Sequence, residues 1–162
     1  MAYAAWVGAA LPTEAQWEVA ARGGDVRDYR RAAYYNGNDE EALDKVGHHV
    51  GTQRRYGARP LPVGEVVQGA PAHPLGLVHI HGNIAEWCQD WFAPYPEGST
   101  REPRGPAVPP DPAAAWRVLR GGSWGNSALD ARSAYRDGDQ PSLRNDTVGL
   151  RLALPQPVEP GI

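Results

Sequence analysis

Residues Trp116 to Leu154 read WRVLRGGSWGNSALDARSAYRDGDQPSLRNDTVGLRLAL, a stretch in which strand-like segments alternate with short polar ones. Arg117 to Arg120 predicts a short strand running into Gly121 and Gly122. Ala131 to Arg136 alternates Ala131, Ser133 and Tyr135 with Arg132, Ala134 and Arg136, a second strand pattern. Leu150, Leu152 and Leu154 alternate with Arg151 and Ala153, which predicts a last, half-buried strand whose register a core would fix. Between these, Gly125 to Asp130 and Asp137 to Thr147 are rich in Gly, Asn, Asp and Ser and read as loops. Rigid segments carrying permissive loops suit a scaffold that presents a binding surface.

Outward from this stretch, Leu77 to Trp91 (LVHIHGNIAEWCQDW) passes from strand alternation into a Gly82-Asn83 turn and then an aromatic segment. There, Trp87 and Trp91 at spacing four would share one face of a short helical turn and anchor the core. Near the N-terminus, Leu11-Pro12-Thr13-Glu14-Ala15-Gln16-Trp17 predicts a helix start, with Thr13 as cap, Gln16 completing a capping box and Gly23-Gly24 as the stop. The residues before it, AYAAWVGA, read as the end of another helix. Tyr29 to Pro74 reads as long loops with at most short strands near Pro62 to Val66.

The 162 residues suit one domain, and an apolar share of 41% with six Trp and seven Tyr supplies a core. A net charge of -3 and 15 Arg interspersed with acids leave no basic footprint, so nucleic acid is not an expected partner. No apolar run reaches membrane-spanning length and the start lacks a charged secretory signal, which predicts a soluble chain, cytoplasmic by default. A single cysteine, Cys88, excludes an intrachain disulfide.

Four blocks, LPTEAQWEVAARGG at 11–24, GNIAEWCQDW at 82–91, RVLRGGSW at 117–124, and RSAYR followed by GLRLA at 132–153, together resemble the formylglycine-generating enzyme, or sulfatase-modifying factor, family. The resemblance implies one loop-rich α+β domain of the C-type-lectin-like type over residues 1–154. It implies a small twisted antiparallel sheet, with a Pro-rich tail at 155–162 and the usual first strand and most of the first long helix missing. Family oxidases hold copper with two cysteines just after the GGSW segment. The matching stretch here, Gly125 to Asp130, has none, and a lone thiol cannot rebuild that site. Ergothioneine-type sulfoxide synthases share the fold, but with an iron-binding partner domain not found in this sequence. No cofactor is therefore required and copper is not expected. The family's calcium set maps onto His79, Gly82, Ile84 and Glu86, where His79 is a poor ligand for a hard cation. His79 and His81 with Glu86 offer a transition-metal alternative beside ordinary hydrogen-bonded histidines, and His48-His49 is given no role.

The tail also resembles variable proteins of diversity-generating retroelements, rewritten at adenines of a template repeat. Asparagine codons AAC in such a template would give the residues found at Gly125, Ser127, Leu129, Asp130, Asp137, Gly138, Asp139, Ser142, Leu143, Asp146 and Thr147, and would leave Asn126 and Asn145 unchanged. Turns favour the same residues for backbone reasons. With Tyr135 as an apolar contact, these positions form the candidate surface for a protein or other surface ligand. Trp124 is expected to face the core, and Arg120, Arg132, Arg136 and Arg151 to pair with Glu86, Asp90 and other acids. The competing expectations are a family oxidase and an accessory part of a larger chain.

Overall fold

The computed structural model describes residues 2–24, 32–65, 69–98 and 101–154, which form four short α-helices, three 3-10 turns and a four-stranded sheet joined by long loops. The helices are α1 (Ala2–Trp6), α2 (Glu14–Ala21), α3 (Glu40–Asp44) and α4 (Gln53–Tyr56). Thr13 caps α2 as its sequence predicts: its side chain accepts from the Gln16 amide at 3.2 Å, and Gln16 Oε1 accepts from the Thr13 amide at 2.9 Å. The exchange satisfies amides that a helix start leaves unbonded. At the far end Gly23 and Gly24, with φ of 78° and 84°, turn the chain, and the Gly24 amide donates to Val19 O at 2.9 Å.

The sheet centres on β1 (Ala85–Trp91). It pairs antiparallel with β2 (Arg117–Arg120), which pairs antiparallel with β3 (Asp137–Asp139). The two-residue β4 (Val148–Gly149) lies on the other side of β1 and is parallel to it, so the sheet is mixed rather than wholly antiparallel, in the order β3-β2-β1-β4. On β1, Glu86, Cys88 and Asp90 are buried, whereas Trp87, Gln89 and Trp91 are half-buried. Trp87 and Trp91 therefore lie on a strand instead of a helical turn, and they cover the outer face of the sheet instead of anchoring the core. The anchor is Trp17, 1% exposed, packed with Ala21, Ile80, Cys88 and Val118; a second cluster joins Tyr34, Leu43, Val46 and Ala131.

Three predicted strands are absent from the described residues. Ala131 to Arg136 runs as turn, following a 3-10 turn at Ala128–Ala131. Its backbone is bonded from elsewhere: the Arg120 guanidinium donates to the carbonyls of Ser133 and Tyr135, and the Ser133 amide donates to Ala33 O. The last strand predicted over Leu150 to Leu154 does not form: β4 ends at Gly149, and Arg151 is drawn across to Glu86 and to Val78 O. Leu150 and Leu154 are left 48% and 80% exposed, and an Ala10–Ala153 bridge joins this segment to the N-terminal one. Leu77 to His81 is irregular, with His79 in the left-handed region at φ 55°. Pro62 to Glu65 forms a turn; Val66 and the Pro-rich tail lie outside the described residues. The Gly82-Asn83 turn is present, and Gly82 must be glycine: φ is 85°, and a Cβ would lie 2.3 Å from His48 O.

Candidate binding site

Of the second predicted loop, Asp137 to Thr147, the first three residues form β3 instead, because they pair with Leu119, Val118 and Arg117; the remainder, 140–147, and the first loop, Gly125 to Asp130, start from opposite ends of the sheet and meet. Gly125 to Asp130 follows β2, and the segment from β3 to β4 crosses toward it, so that Trp124 Nε1 donates to Asp146 O at 3.1 Å. A Cβ on Gly125 would sit 3.7 Å from the Thr147 methyl, ordinary contact. Trp124 is accordingly half-buried as a strut between loops and is not in either core cluster.

The bonds from scaffold to loop run largely to loop carbonyls. Val50 N donates to Asn126 O, Tyr34 Oη to Ala128 O, Arg132 Nε to Leu129 O, and Ala85 N to Thr147 O, all within 3.0 Å; Arg120 reaches Tyr135 O. A carbonyl is present whatever the side chain, so these anchors hold for many sequences. Among the candidate contact residues Gly125, Ser127, Leu129, Asp137, Ser142, Asn145 and Asp146 are exposed, Leu129 at 63%. Asn126, Asp130, Tyr135, Gly138, Asp139, Leu143 and Thr147 are half-buried.

Some of these side chains serve the loops themselves. Asn126 Oδ1 accepts from the Ser123 amide at 2.9 Å and its hydroxyl at 2.5 Å, and Asp130 Oδ2 accepts from the Ser127 amide and hydroxyl. Asn145 Oδ1 accepts from Thr147 in the same way, while Asp137 and Asp139 each take the amide of the next residue. Gly138 has no room for a side chain, because a Cβ would meet Phe92 ring carbons at 2.9 Å.

Beneath the loops the arginines pair with acids as expected, with one exception. Arg136 binds both oxygens of Glu14 at 2.5 and 2.7 Å, Arg120 reaches Glu18 at 2.5 Å, and Arg151 binds both oxygens of Glu86 at 2.9 and 2.7 Å. Arg132 is exposed and bonds only to Leu129 O among the described residues. Asp90 accepts from the backbone amides of Glu14 and Gly105 rather than from an arginine.

The metal candidates separate geometrically. Glu86 is committed to Arg151 and to Trp17 Nε1 at 2.7 Å, and Gly82 O accepts from the Ile84 amide; His79 Nε2 is buried without a hydrogen-bond partner. His81 cannot join His79, because its Nε2 accepts from the Tyr35 amide and its Nδ1 donates to Ala131 O. That neutral form is enforced by burial, which pushes the His81 imidazole down to about 4. Cys88 is 1% exposed on β1 and burial pushes its thiol up, so it stays protonated; with no thiol in 125–130, the residues present do not fit a two-thiolate copper centre.

A grouping not anticipated from the sequence is Glu40, Asp44 and His49, whose ligand atoms lie within 4.8 Å of one another. The i, i+4 spacing of Glu40 and Asp44 before a histidine is the signal that could have found it. His49 Nδ1 accepts from the Gly51 amide at 3.2 Å, so Nε2 carries the proton and donates to Asp44 at 2.7 Å, an already satisfied pair.

Compared with known proteins, residues 1–155 match the family described as Sulfatase-modifying factor enzyme 1-like domain. The chain is 38% identical to serine/threonine-protein kinase Pkn1 of Chlamydia trachomatis over 93% of its own length and 22% of that protein. It is 36% identical to a formylglycine-generating enzyme of Streptomyces coelicolor, over 94% of the chain and 48% of that protein. Among solved structures, Treponema denticola variable protein 1 superposes with a TM-score of 0.72 at 33% identity, covering 89% of this chain and 46% of the other. The chain thus spans from about a fifth to about half of the length of these relatives, and the similarity bears out both the C-type-lectin-like α+β fold and the resemblance to variable proteins.

Proposed function

The chain belongs to the sulfatase-modifying factor enzyme 1-like family, and we propose that within it this protein is a non-catalytic, protein-binding domain of the variable-protein kind. Its contact face is formed by residues 125–130 and 137–147. The observation that carries this reading is the anchoring of both loops through their carbonyls, at Asn126, Ala128, Leu129, Asp146 and Thr147. Side chains such as Leu129, Ser142 and Asp146 can then change without loss of the scaffold, and a preordered loop loses less entropy on binding. Two experiments test it. Sequencing the DNA downstream of the gene should reveal a near-copy of the segment encoding 117–154 that differs at adenines, next to a reverse-transcriptase gene. Replacing exposed loop residues with Gly and Ser should abolish capture of a protein partner while the melting temperature holds; binding that survives would refute the assignment.

A second reading, a family oxidase or accessory factor, is favoured by the 36% identity to a formylglycine-generating enzyme along 94% of the chain. It requires oxidation of a sulfatase-type cysteine peptide by the purified protein, or tight Cu(I) binding. Calcium at His79, Gly82, Ile84 and Glu86 is a separate proposal, in which the ion would take Glu86 from Arg151. A calcium titration without heat and without a thermal shift removes it.

A further inference from the structure

The outer face of the sheet holds an aromatic groove next to the proposed contact loops. Trp87 and Trp91, half-buried on β1, line a cavity of about 500 Å³ together with Tyr3, Leu143 and Leu150. Two cations belong to the same cavity. Arg117 stands opposite Trp91 in the ladder, its guanidinium carbon 3.5 Å from the centroid of the indole, and Arg144 comes from the loop wall.

Neither cation forms a salt bridge among the described residues. Arg117 donates to Gln89 O, and Arg144 to Pro141 O and Leu143 O, all backbone groups. Two carboxylates beside Arg117 bond elsewhere: Asp90, whose charge favours the Arg117 cation from a distance, takes two backbone amides, and Asp139, across from Arg117 in β3, takes the Gln140 amide. A guanidinium held on an indole is preorganised, and it still has donors for a planar acceptor. Arg117 is half-buried against the indole and Arg144 is exposed, and together they make the groove positive, complementary to a carboxylate, while its apolar walls suit side-chain area.

We propose that this groove receives an acidic, apolar segment of a partner protein, with a Trp, Phe or Leu side chain in the cavity and a carboxylate bound by Arg117 and Arg144. The inference rests on the protein-binding reading and adds the chemistry of the partner. It also assigns specificity to Trp87, Trp91 and Arg117, which lie outside the loops and would remain constant while the loops vary.

A phage library of random heptapeptides, selected on the intact chain, tests it. Enriched peptides should combine Asp or Glu with an aromatic residue or Leu. Their affinity should fall about tenfold in Arg144→Gln, an exposed site where folding is not at risk, and again in Arg117→Gln. It should also weaken as salt rises from about 50 to about 500 mM. Arg132→Gln, away from the groove, should leave it unchanged, as should Gly/Ser replacement at 125–130. The proposal is overturned if no peptide is enriched, if enriched peptides lack acids, or if Arg144→Gln binds them equally well. If acidic peptides fail while Gly/Ser replacement at 125–130 still abolishes capture of a protein partner, the groove assignment falls and the loop assignment stands.

Discussion

Glu86 receives three donors from two distant parts of the chain: Trp17 Nε1, Arg151 Nε and Arg151 Nη2. Removing it strands a largely buried guanidinium and an indole N–H together, so Glu86→Ala should lower the unfolding free energy by about 3 to 5 kcal/mol in urea denaturation. Loop residues divide by the same logic. Asn126→Ala deprives buried Ser123 of its acceptor and should cost about 1 to 3 kcal/mol. Leu129→Ser, at a residue bonded only through its carbonyl, should stay within about 0.5 kcal/mol of the parent. Equal losses at Asn126 and Leu129 would mean that the loop is not divided into structural and free side chains. Composition marks where the loops lie, but it cannot separate these two residues, because the difference is which way a side chain's hydrogen bond points.

At the scale of elements, Thr13→Ala should destabilise the protein by about 1 kcal/mol through loss of the α2 cap, measurable as a shift in the urea midpoint with an unchanged slope. That helix was legible because capping and its glycine stop are local chemistry. β2 was legible for a similar reason, as a short run ending at Gly121-Gly122. β1 was not. A spacing of four brings Trp87 and Trp91 to one face in a helix and in a strand alike, and only the pairing with Arg117 and Leu119 decides between them. The strand predicted at Leu150 to Leu154 failed because a regular alternation cannot form a ladder without a neighbour, and the Arg151–Glu86 pair draws the chain away after two residues of β4. Ala131 to Arg136 failed for the opposite reason, since a single arginine side chain, Arg120, supplies donors that a neighbouring strand would otherwise provide.

Across the whole molecule four histidines share one electrostatic condition. Burial lowers the pKa of His48, His73, His79 and His81 below the ordinary 6.5, His81 to about 4. Between the folded and unfolded values the unfolded chain binds more protons, so stability is full above about pH 6.5 and is lost as pH falls toward about 4. The melting temperature should therefore drop steadily from pH 7 to pH 5, and His81→Asn should flatten that slope; a level profile would contradict the neutral, buried assignment. The scaffold as a whole makes the larger claim, that backbone anchors let one fold carry many contact surfaces. The direct test is a yeast-display library randomised together at Leu129, Ser142, Leu143 and Asp146, with protease resistance read for each member. Most members should remain folded, while a control library at Trp17, Ile80, Cys88 and Val118 should collapse. Collapse of the loop library to near-parental sequences would contradict it.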